Sequence, residues 1–428
     1  MQKHFDGDSA TAHALDLRDF IVASPTAFHA ATEAASRLDA AGYVRQRAED
    51  EWSAAPGGHY IVRSGAVVAW FVPQGAGPRS GFRIVGAHTD SPSFKVKPVA
   101  DSGAFGFASV NVETYGGLLA NSWLNRDLGV AGRVTAVDGE ERLFTTGPVM
   151  TIPQLAPHLD RSVDERLTLD RQRHLQPVCG TGERSIAATI AQSAGIPAER
   201  IAAVDAYAFD VQRPEIISSE FLAGGRQDNL VSVHAGLTAL LAAEAELAAQ
   251  SRCIAVYAAF DHEEVGSSTA TGAAGPLLEW VLRRTALALG AGEDEYYRML
   301  ARTTCMSADA GHSINPNYPG YHDPTQYPTA GGGPMVKVNA NQRYASDSTG
   351  CALWLRAAAD ADQPVQTFVS NNSVPCGTTI GPLTATRLGI DTVDVGVPLL
   401  SMHSVRELSS IADDWALAQI LRGYWTIA

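Results

Sequence analysis

Lysine is nearly missing from this chain: of its 32 basic residues only Lys3, Lys95, Lys97 and Lys337 are lysines, and the remaining 28 are arginines. A compact ammonium and a planar guanidinium are not interchangeable, so the few lysines are candidates for positions that need a point charge. Cysteine is scarce too. Cys179, Cys253, Cys305, Cys351 and Cys376 are scattered, odd in number and free of CxxC spacing, which argues against a disulfide framework. Cys253 lies in an apolar run and reads as core, Cys305 has no assignment, and Cys376 reads as a small buried thiol, with a place beside a site as the alternative. No apolar run reaches the length of a membrane span, and the opening MQKHFDGDSA is too polar for a signal peptide, so the cytoplasm is the expected location. Positive charge is in deficit, with a formal net charge of −14. Nucleic acid and anionic membranes reward basic patches, so neither is expected as a main partner. TAGGGP (Thr329 to Pro334) is not followed by GK[ST] and reads as a mobile loop rather than a phosphate cradle. No internal repeat or low-complexity tract is visible.

What is present is a set of metal-ligand residue types. The chain carries GAHTD (Gly86 to Asp90) and DHEEVGS (Asp261 to Ser267), to which Asp228, Asp309 and His403 can be added. Two divalent ions about 3.5–4 Å apart need a bridging carboxylate, end ligands on each ion, and open positions for water and substrate. His88 and His403 are natural end ligands, Asp228 a natural bridge, and Glu264 and Asp309 the remaining carboxylates. Glu263 is left over to face water as a general base. Each piece alone is weak, since an isolated HxD is more often a hydrogen-bonded histidine and a Glu-Glu pair is more often a solvated face. Their placement strengthens the set. Arg83 to Gly86 leads into His88 as a strand, Cys253 to Phe260 is an apolar run of buried-strand length leading into Glu263, and Thr392 to Val397 alternates as a strand before His403. In open α/β sheets the strand ends are where ligands bind. The combination points to metal-assisted hydrolysis.

At 428 residues, with 45% hydrophobic and 18% charged residues, the chain is a folded protein expected to hold one large core and a second unit. Ala12 to Tyr43 reads mostly as helix, with Ser24-Pro25 starting its second half, and Ile61 to Val72 and Phe82 to Gly86 read as strands. Asp228 stands at the mouth of a strong helix, because Leu230, Val233, Leu237, Leu240, Leu241 and Leu247 recur at helical spacing with Glu244 as the polar break. Alternating strands and helices from there onward predict an α/β sandwich with a largely parallel sheet. Between about Pro92 and Ile217 the texture changes to short strands and turns followed by polar, helix-like residues, with no cluster of ligand candidates. The expectation is a catalytic unit made of residues 1–91 and 218–428, with residues 92–217 inserted in it.

The chain resembles the M18 family of metalloaminopeptidases, the aspartyl aminopeptidases, over nearly its whole length. The segments that carry the likeness are GAHTDSPSFKVKP (Gly86 to Pro98), VETYGG (Val112 to Gly117), WLNRDL (Trp123 to Leu128), GGRQDNL (Gly224 to Leu230), DHEEVGS, SADAGHSINPNY (Ser307 to Tyr318), GPMVKVNANQRYA (Gly333 to Ala345), PCGTTIGP (Pro375 to Pro382) and MHSVRE (Met402 to Glu407). The resemblance implies that His88, Asp228, Glu264, Asp309 and His403 hold two divalent ions, zinc first and cobalt or manganese as alternatives. It makes Glu263 the catalytic acid/base and gives Asp90 the outward N–H of the His88 imidazole, although an Asx turn before Pro92 accounts for Asp90 as well. It also implies a cis peptide at Asp228-Asn229, an inserted dimerisation domain, and a homo-oligomer, a dodecamer built from dimers. Substrates would be peptides with a free N-terminus. Lys337 would meet an N-terminal Asp or Glu side chain, Arg343 and Tyr344 would position it, and a histidine from a neighbouring subunit, His158 in preference to His174, would complete the pocket. Such a pocket has to be locally basic within an acidic protein; the plain alternative for Lys337 is an anchor to an exposed acid, worth little. His262 and His312 read as packing behind ligand positions. Three other readings stay open: a Leu-type preference, a deacylase or amidase on the same dinuclear scaffold, and a non-catalytic assembly protein.

Overall fold

The computed structural model describes residues 7–250 and 253–427, so Lys3 and His4 lie outside the described residues. Two alanine-rich helices open the chain, α1 (Gly7–Ala23) and α2 (Ala27–Ala40), parted at Ser24 to Thr26 where Pro25 cannot continue a helix. A short β1 (Val44–Arg45) follows. The stretch from Ile61 to Val72, expected as one strand, is a hairpin instead. Its arms are β2 (Gly57–Arg63) and β3 (Ala66–Val72), and the turn is Ser64-Gly65 with Ser64 at a φ of 55°. Both flanks are apolar, so only the Ser-Gly pair marks the reversal, and a two-residue turn keeps Arg63 opposite Ala66.

After β4 (Phe82–His88) the chain leaves this sheet and builds a second one. Its strands are β5 (Ser93–Ala104), β6 (Phe107–Tyr115), β7 (Leu128–Ala136), β8 (Glu141–Thr145), β9 (Val178–Thr181) and β10 (Ile201–Asp210), all antiparallel, in the order β8-β7-β10-β5-β6-β9. Helix α3 (Ile186–Ala194) packs on it, and Phe94, Val110, Leu128, Val134, Ile152 and Ile190 share a core of their own. The polar stretch around residues 157–174, expected to be helix-like, forms turns. Leu159 and Leu167 stay exposed there, so no apolar stripe offsets the cost of helix nucleation. Residues 215–217 pair away from this sheet: β11 (Glu215–Ile217) joins β12 (Phe221–Gly224), which also pairs with a strand near the C-terminus.

The remaining elements are α4 (Gln227–Gln250), β13 (Ile254–Phe260), α5 (Leu277–Ala288), α6 (Glu293–Leu300), β14 (Thr304–Ala308), β15 (Gly311–His312), β16 (Met335–Val338), α7 (Ser348–Asp360), β17 (Gln366–Val369), α8 (Ile380–Leu388), β18 (Asp391–Gly396), β19 (Pro398–Leu399), β20 (Glu407–Ser410) and α9 (Ile411–Thr426). The main sheet has nine strands in the order β1-β2-β3-β13-β4-β14-β18-β16-β17. Its centre, β13, β4, β14 and β18, is parallel, with β3 and β16 antiparallel on either side. Strand alternation splits the core between the faces: Tyr257 and Val85 meet α1, α2, α4, α7 and α9, whereas Val256 and Ile84 meet α5, α6 and α8. This is the α/β sandwich, with both faces of its parallel centre covered by helices.

Helix α4 carries the apolar row read from the sequence, with Leu230, Val233, Leu237, Leu240 and Leu247 all buried. Burying each such side chain contributes about 1.5–3 kcal/mol. Contrary to the sequence reading, Gln227–Ala249 is long and apolar enough to cross a membrane by length and composition; most of it is packed inside the core. The TAGGGP loop also departs from expectation. Asp413, in the first turn of α9, accepts hydrogen bonds from Gly331 N (2.7 Å) and Gly333 N (2.8 Å), so the glycines serve a held turn rather than a mobile one.

Candidate metal centre

The parallel centre of the sheet delivers its strand ends to one edge. His88 is the last residue of β4, Asp309 follows β14 directly, and Glu263 and Glu264 lie in a tight turn just after β13. Asp228 sits in the first turn of α4, at a break in helical geometry, and the peptide bond to Asn229 is cis. His403 comes from the loop between β19 and β20 with a left-handed φ of 65°.

These side chains form two groups that share Asp228. In one, His88 Nε2 is 3.4 Å from both Asp228 Oδ1 and Asp309 Oδ1. In the other, His403 Nε2 is 3.3 Å from Asp228 Oδ2 and 3.5 Å from Glu264 Oε1. Asp228 thus turns one oxygen to each group, the requirement for a bridging carboxylate. A third grouping joins His88, Glu263 and Glu264, with Glu263 Oε2 3.9 Å from His88 Nε2. Asp228 Oδ1 and Glu264 Oε1 are buried and accept no hydrogen bond. Leaving carboxylate oxygens buried and unpaired is costly unless a cation is bound beside them, and imidazole with carboxylate donors suits zinc. The residues present therefore fit divalent metal.

Supporting contacts fix these side chains. His88 Nδ1 is 3.0 Å from the Asp90 carbonyl oxygen and 3.5 Å from its carboxylate. The Asp90 carboxylate is mainly engaged elsewhere: Oδ1 accepts from Glu263 N (3.0 Å), and Oδ2 accepts from Glu264 N (3.1 Å) and Tyr115 Oη (2.8 Å). Asp90 therefore orients the Glu263-Glu264 turn as much as the imidazole. His403 Nδ1 donates to Gly117 O (3.0 Å), which frees Nε2 to point at Asp228.

Glu407 was not singled out from the sequence. It is buried, its Oε2 accepts from Asp228 N (3.1 Å) and its Oε1 from His403 N (2.8 Å), so one carboxylate holds the backbone of two candidate ligands. Gln227 Nε2 donates to Glu407 O, Gly224 O and Leu222 O, tying the same corner together. The available signal was position: Glu407 opens ELSS (Glu407 to Ser410), a short strand whose inward-facing residues are buried.

So many acids in a small volume distort their own titration. Burial alone would depress His88, but the carboxylates of Asp228, Asp309 and Asp90 around its ring outweigh it and raise the imidazole well above its usual range. For His403, burial is likewise outweighed by Asp228 and Glu264, and its pKa rises to about 10. Burial pushes Glu263 up to about 8, helped by Asp309 and Asp228 and opposed by His88. Without metal the cluster therefore holds protons at neutral pH. Binding a dication must expel them, so metal affinity falls as pH falls through this range.

Beside the cluster lies a cavity of about 290 Å³, lined in part by His312, Tyr344, Phe368, Cys376, Leu399 and Met402. Cys376 thus borders a cavity, the alternative left open by the sequence. Lys337 is buried, not an anchor to a surface acid; its Nζ donates to Ala310 O (2.7 Å), lies 3.9 Å from Asp309 Oδ2 and sits 5.5 Å over the Tyr344 ring. Arg343 is exposed, and its Nε donates to the carbonyl oxygen of Gly377 (3.3 Å), which lines the cavity together with Tyr344. His158 and His174 stand on exposed turns, and neither lines this cavity. His262 packs behind the Glu263 turn, its Nδ1 3.1 Å from Thr269 Oγ1, whereas His312 faces the cavity.

In sequence and in fold the chain is similar to known proteins. The family model described as Aminopeptidase I zinc metalloprotease (M18) matches residues 20–425. A Streptomyces avermitilis protein named probable M18 family aminopeptidase 2 is 51% identical over 420 residues, which span 96% of each chain. Among solved structures, a chain of the Ape4 and Nbr1 complex superposes with a TM-score of 0.94 at 31% identity, covering 100% of this chain and 88% of that one. The mApe1 dodecamer of S. cerevisiae gives 0.85 at 26% identity, covering 97% and 96%. A cluster of histidines and carboxylates at the parallel strand ends, and a match that runs from residue 20 almost to the C-terminus, place the chain in the M18 family of zinc metalloproteases as an aminopeptidase.

Proposed function

We propose that this aminopeptidase is dinuclear and prefers peptides beginning with Asp or Glu. The observation that carries the dinuclear reading is Asp228, with Oδ1 toward His88 and Oδ2 toward His403. His88 and Asp309 would hold one ion, His403 and Glu264 the other, and Asp228 both. Bound zinc supplies a polarised scissile carbonyl and a water acidic enough to lose a proton near neutral pH. Glu263 binds no metal in this scheme. Its carboxylate would take the proton of the attacking water and return it to the leaving amine, a role open to the one carboxylate of the turn that neither group sharing Asp228 requires. Asp90 keeps Glu263 aimed through the bond to its backbone N–H.

The acidic preference rests on Lys337, among the described residues the one lysine at the edge of the cluster and within reach of the cavity wall at Tyr344. A Leu-type preference is the second reading, favoured by Phe368, Leu399 and Met402 in the cavity lining. Lys337→Met separates them. We expect it to lower kcat/KM about a hundredfold on Asp and Glu peptides, the loss of a buried charge pair, and only a few-fold on Leu peptides. Equal losses on both would mean that Lys337 serves Asp309 and Ala310 rather than the substrate.

The same proposal makes the six-stranded sheet the dimerisation unit of a cytoplasmic homo-oligomer. The dodecameric state of the yeast relative supports that assembly. In it, His158 of a neighbouring subunit would complete the pocket.

A further inference from the structure

The six-stranded sheet reaches the metal cluster with the segment Tyr115 to Leu119, where β6 runs out. Tyr115 Oη donates to Asp90 Oδ2 (2.8 Å), the same oxygen that accepts from Glu264 N (3.1 Å). Gly116 adopts a φ of 71°, and a Cβ placed there would stand 3.0 Å from Glu264 Cβ and 3.3 Å from Glu264 O. Gly117 O accepts from His403 Nδ1 (3.0 Å), and Leu119 N donates to His403 O (2.9 Å). Three adjacent residues thus bear on His88 and the Glu263-Glu264 turn through Asp90, on Glu264 directly, and on His403. The segment is anchored from its own side by Tyr207 of β10, whose ring meets Tyr115 edge-on at 5.3 Å.

We infer that Tyr115 to Leu119 is a strap by which the six-stranded sheet sets the geometry of both halves of the metal cluster, with Tyr115 and Gly116 as positioning residues. The chemistry at each contact is specific. The Gly117 carbonyl holds the His403 ring by Nδ1, which leaves Nε2 as the nitrogen that would meet a metal beside Asp228. The Tyr115 hydroxyl satisfies an Asp90 oxygen that also holds the Glu264 backbone, so its loss loosens that turn. Gly116 is glycine for two reasons: the left-handed backbone and the close approach of Glu264 both disfavour a side chain. A displacement of β6 is therefore transmitted to residues on both sides of Asp228. None of the three residues lines the cavity beside Tyr344, so the strap acts on the metal ligands rather than on the substrate side chain.

The inference rests on the metal reading of the cluster, and the test keeps the two apart. Zinc is removed from the native full-length protein and from Tyr115→Phe and Gly116→Ala, and zinc affinity is then measured by competition with a chromophoric chelator. The unfolding temperature of each metal-free protein is recorded alongside. We expect Gly116→Ala to bind zinc ten- to a hundredfold more weakly, and Tyr115→Phe several-fold to tenfold more weakly, the range for residues that support ligands. At saturating zinc, KM for peptide should stay within about twofold of native while kcat falls, since the strap lies off the substrate cavity. If Gly116→Ala does not fold, Tyr115→Phe decides the matter. Affinities within twofold of native, whatever happens to the unfolding temperature, would overturn the strap, and a native protein that binds no zinc would overturn the metal reading itself.

Discussion

Glu263→Gln should reduce turnover of every peptide substrate by about three orders of magnitude, within the range attributed to a positioned general base, and leave zinc content at the native level. The expectation follows from where the residue sits. Its Oε2 is 3.9 Å from His88 Nε2, yet the two groups that share Asp228 are complete without it. Glutamine keeps the shape of the side chain, and the Asp90 bond runs to the backbone N–H, so the turn is undisturbed. What is lost is a carboxylate able to take and return a proton. KM should change little, because the group acts on the transition state rather than on substrate binding. Steady-state kinetics with metal analysis on the same preparation checks both halves. A variant with near-native kcat would remove Glu263 from the mechanism, and one that loses zinc would make it a ligand.

Asp228→Asn should do the opposite, emptying the site rather than silencing it. Asparagine keeps one carboxyl-like oxygen and replaces the other with an N–H₂ that has no lone pair for a metal. Because His88 faces Oδ1 and His403 faces Oδ2, either orientation of the amide spoils one group, and the lost negative charge weakens both. We expect at most one weakly held zinc per subunit and activity below about a thousandth of native, as in the loss of any part of a metal-activated nucleophile. His403→Ala is the contrast: it opens only the group with Glu264 and should leave the His88 and Asp309 side able to bind. Zinc stoichiometry by elemental analysis distinguishes the two patterns. Two firmly bound ions in Asp228→Asn would mean that Asp228 does not bridge.

The sequence made the candidate ligands legible because each is a chemically distinctive residue at the end of a readable strand or helix. GAHTD closes β4, DHEEVGS follows the apolar β13, and Asp228 opens the leucine row of α4. What stayed hidden was the support beneath them. Glu407 and Tyr115 are ordinary residue types whose meaning lies in what faces them, Asp228 N and His403 N for one and Asp90 for the other, across 179, 4 and 25 residues of chain. Periodicity cannot report such pairings, because they are set by how two sheets meet. The misread elements have local causes. Ser64-Gly65 is a reversal between two apolar flanks with only Arg63 beside it to break them, and the glycines of Thr329 to Pro334 suggested mobility because their anchor, Asp413, lies about eighty residues away. Lys337 was singled out by scarcity, and its burial against Ala310 and Asp309 gives it two masters that only substrate kinetics can separate.

The most direct test is hydrolysis of otherwise identical peptides beginning with Asp, Glu, Leu, Ala or Lys, by zinc-loaded protein and by protein stripped of metal. The account predicts release of the first residue that disappears on chelation, returns with zinc, and is fastest for Asp and Glu. Undiminished cleavage by protein shown to be metal-free would contradict it.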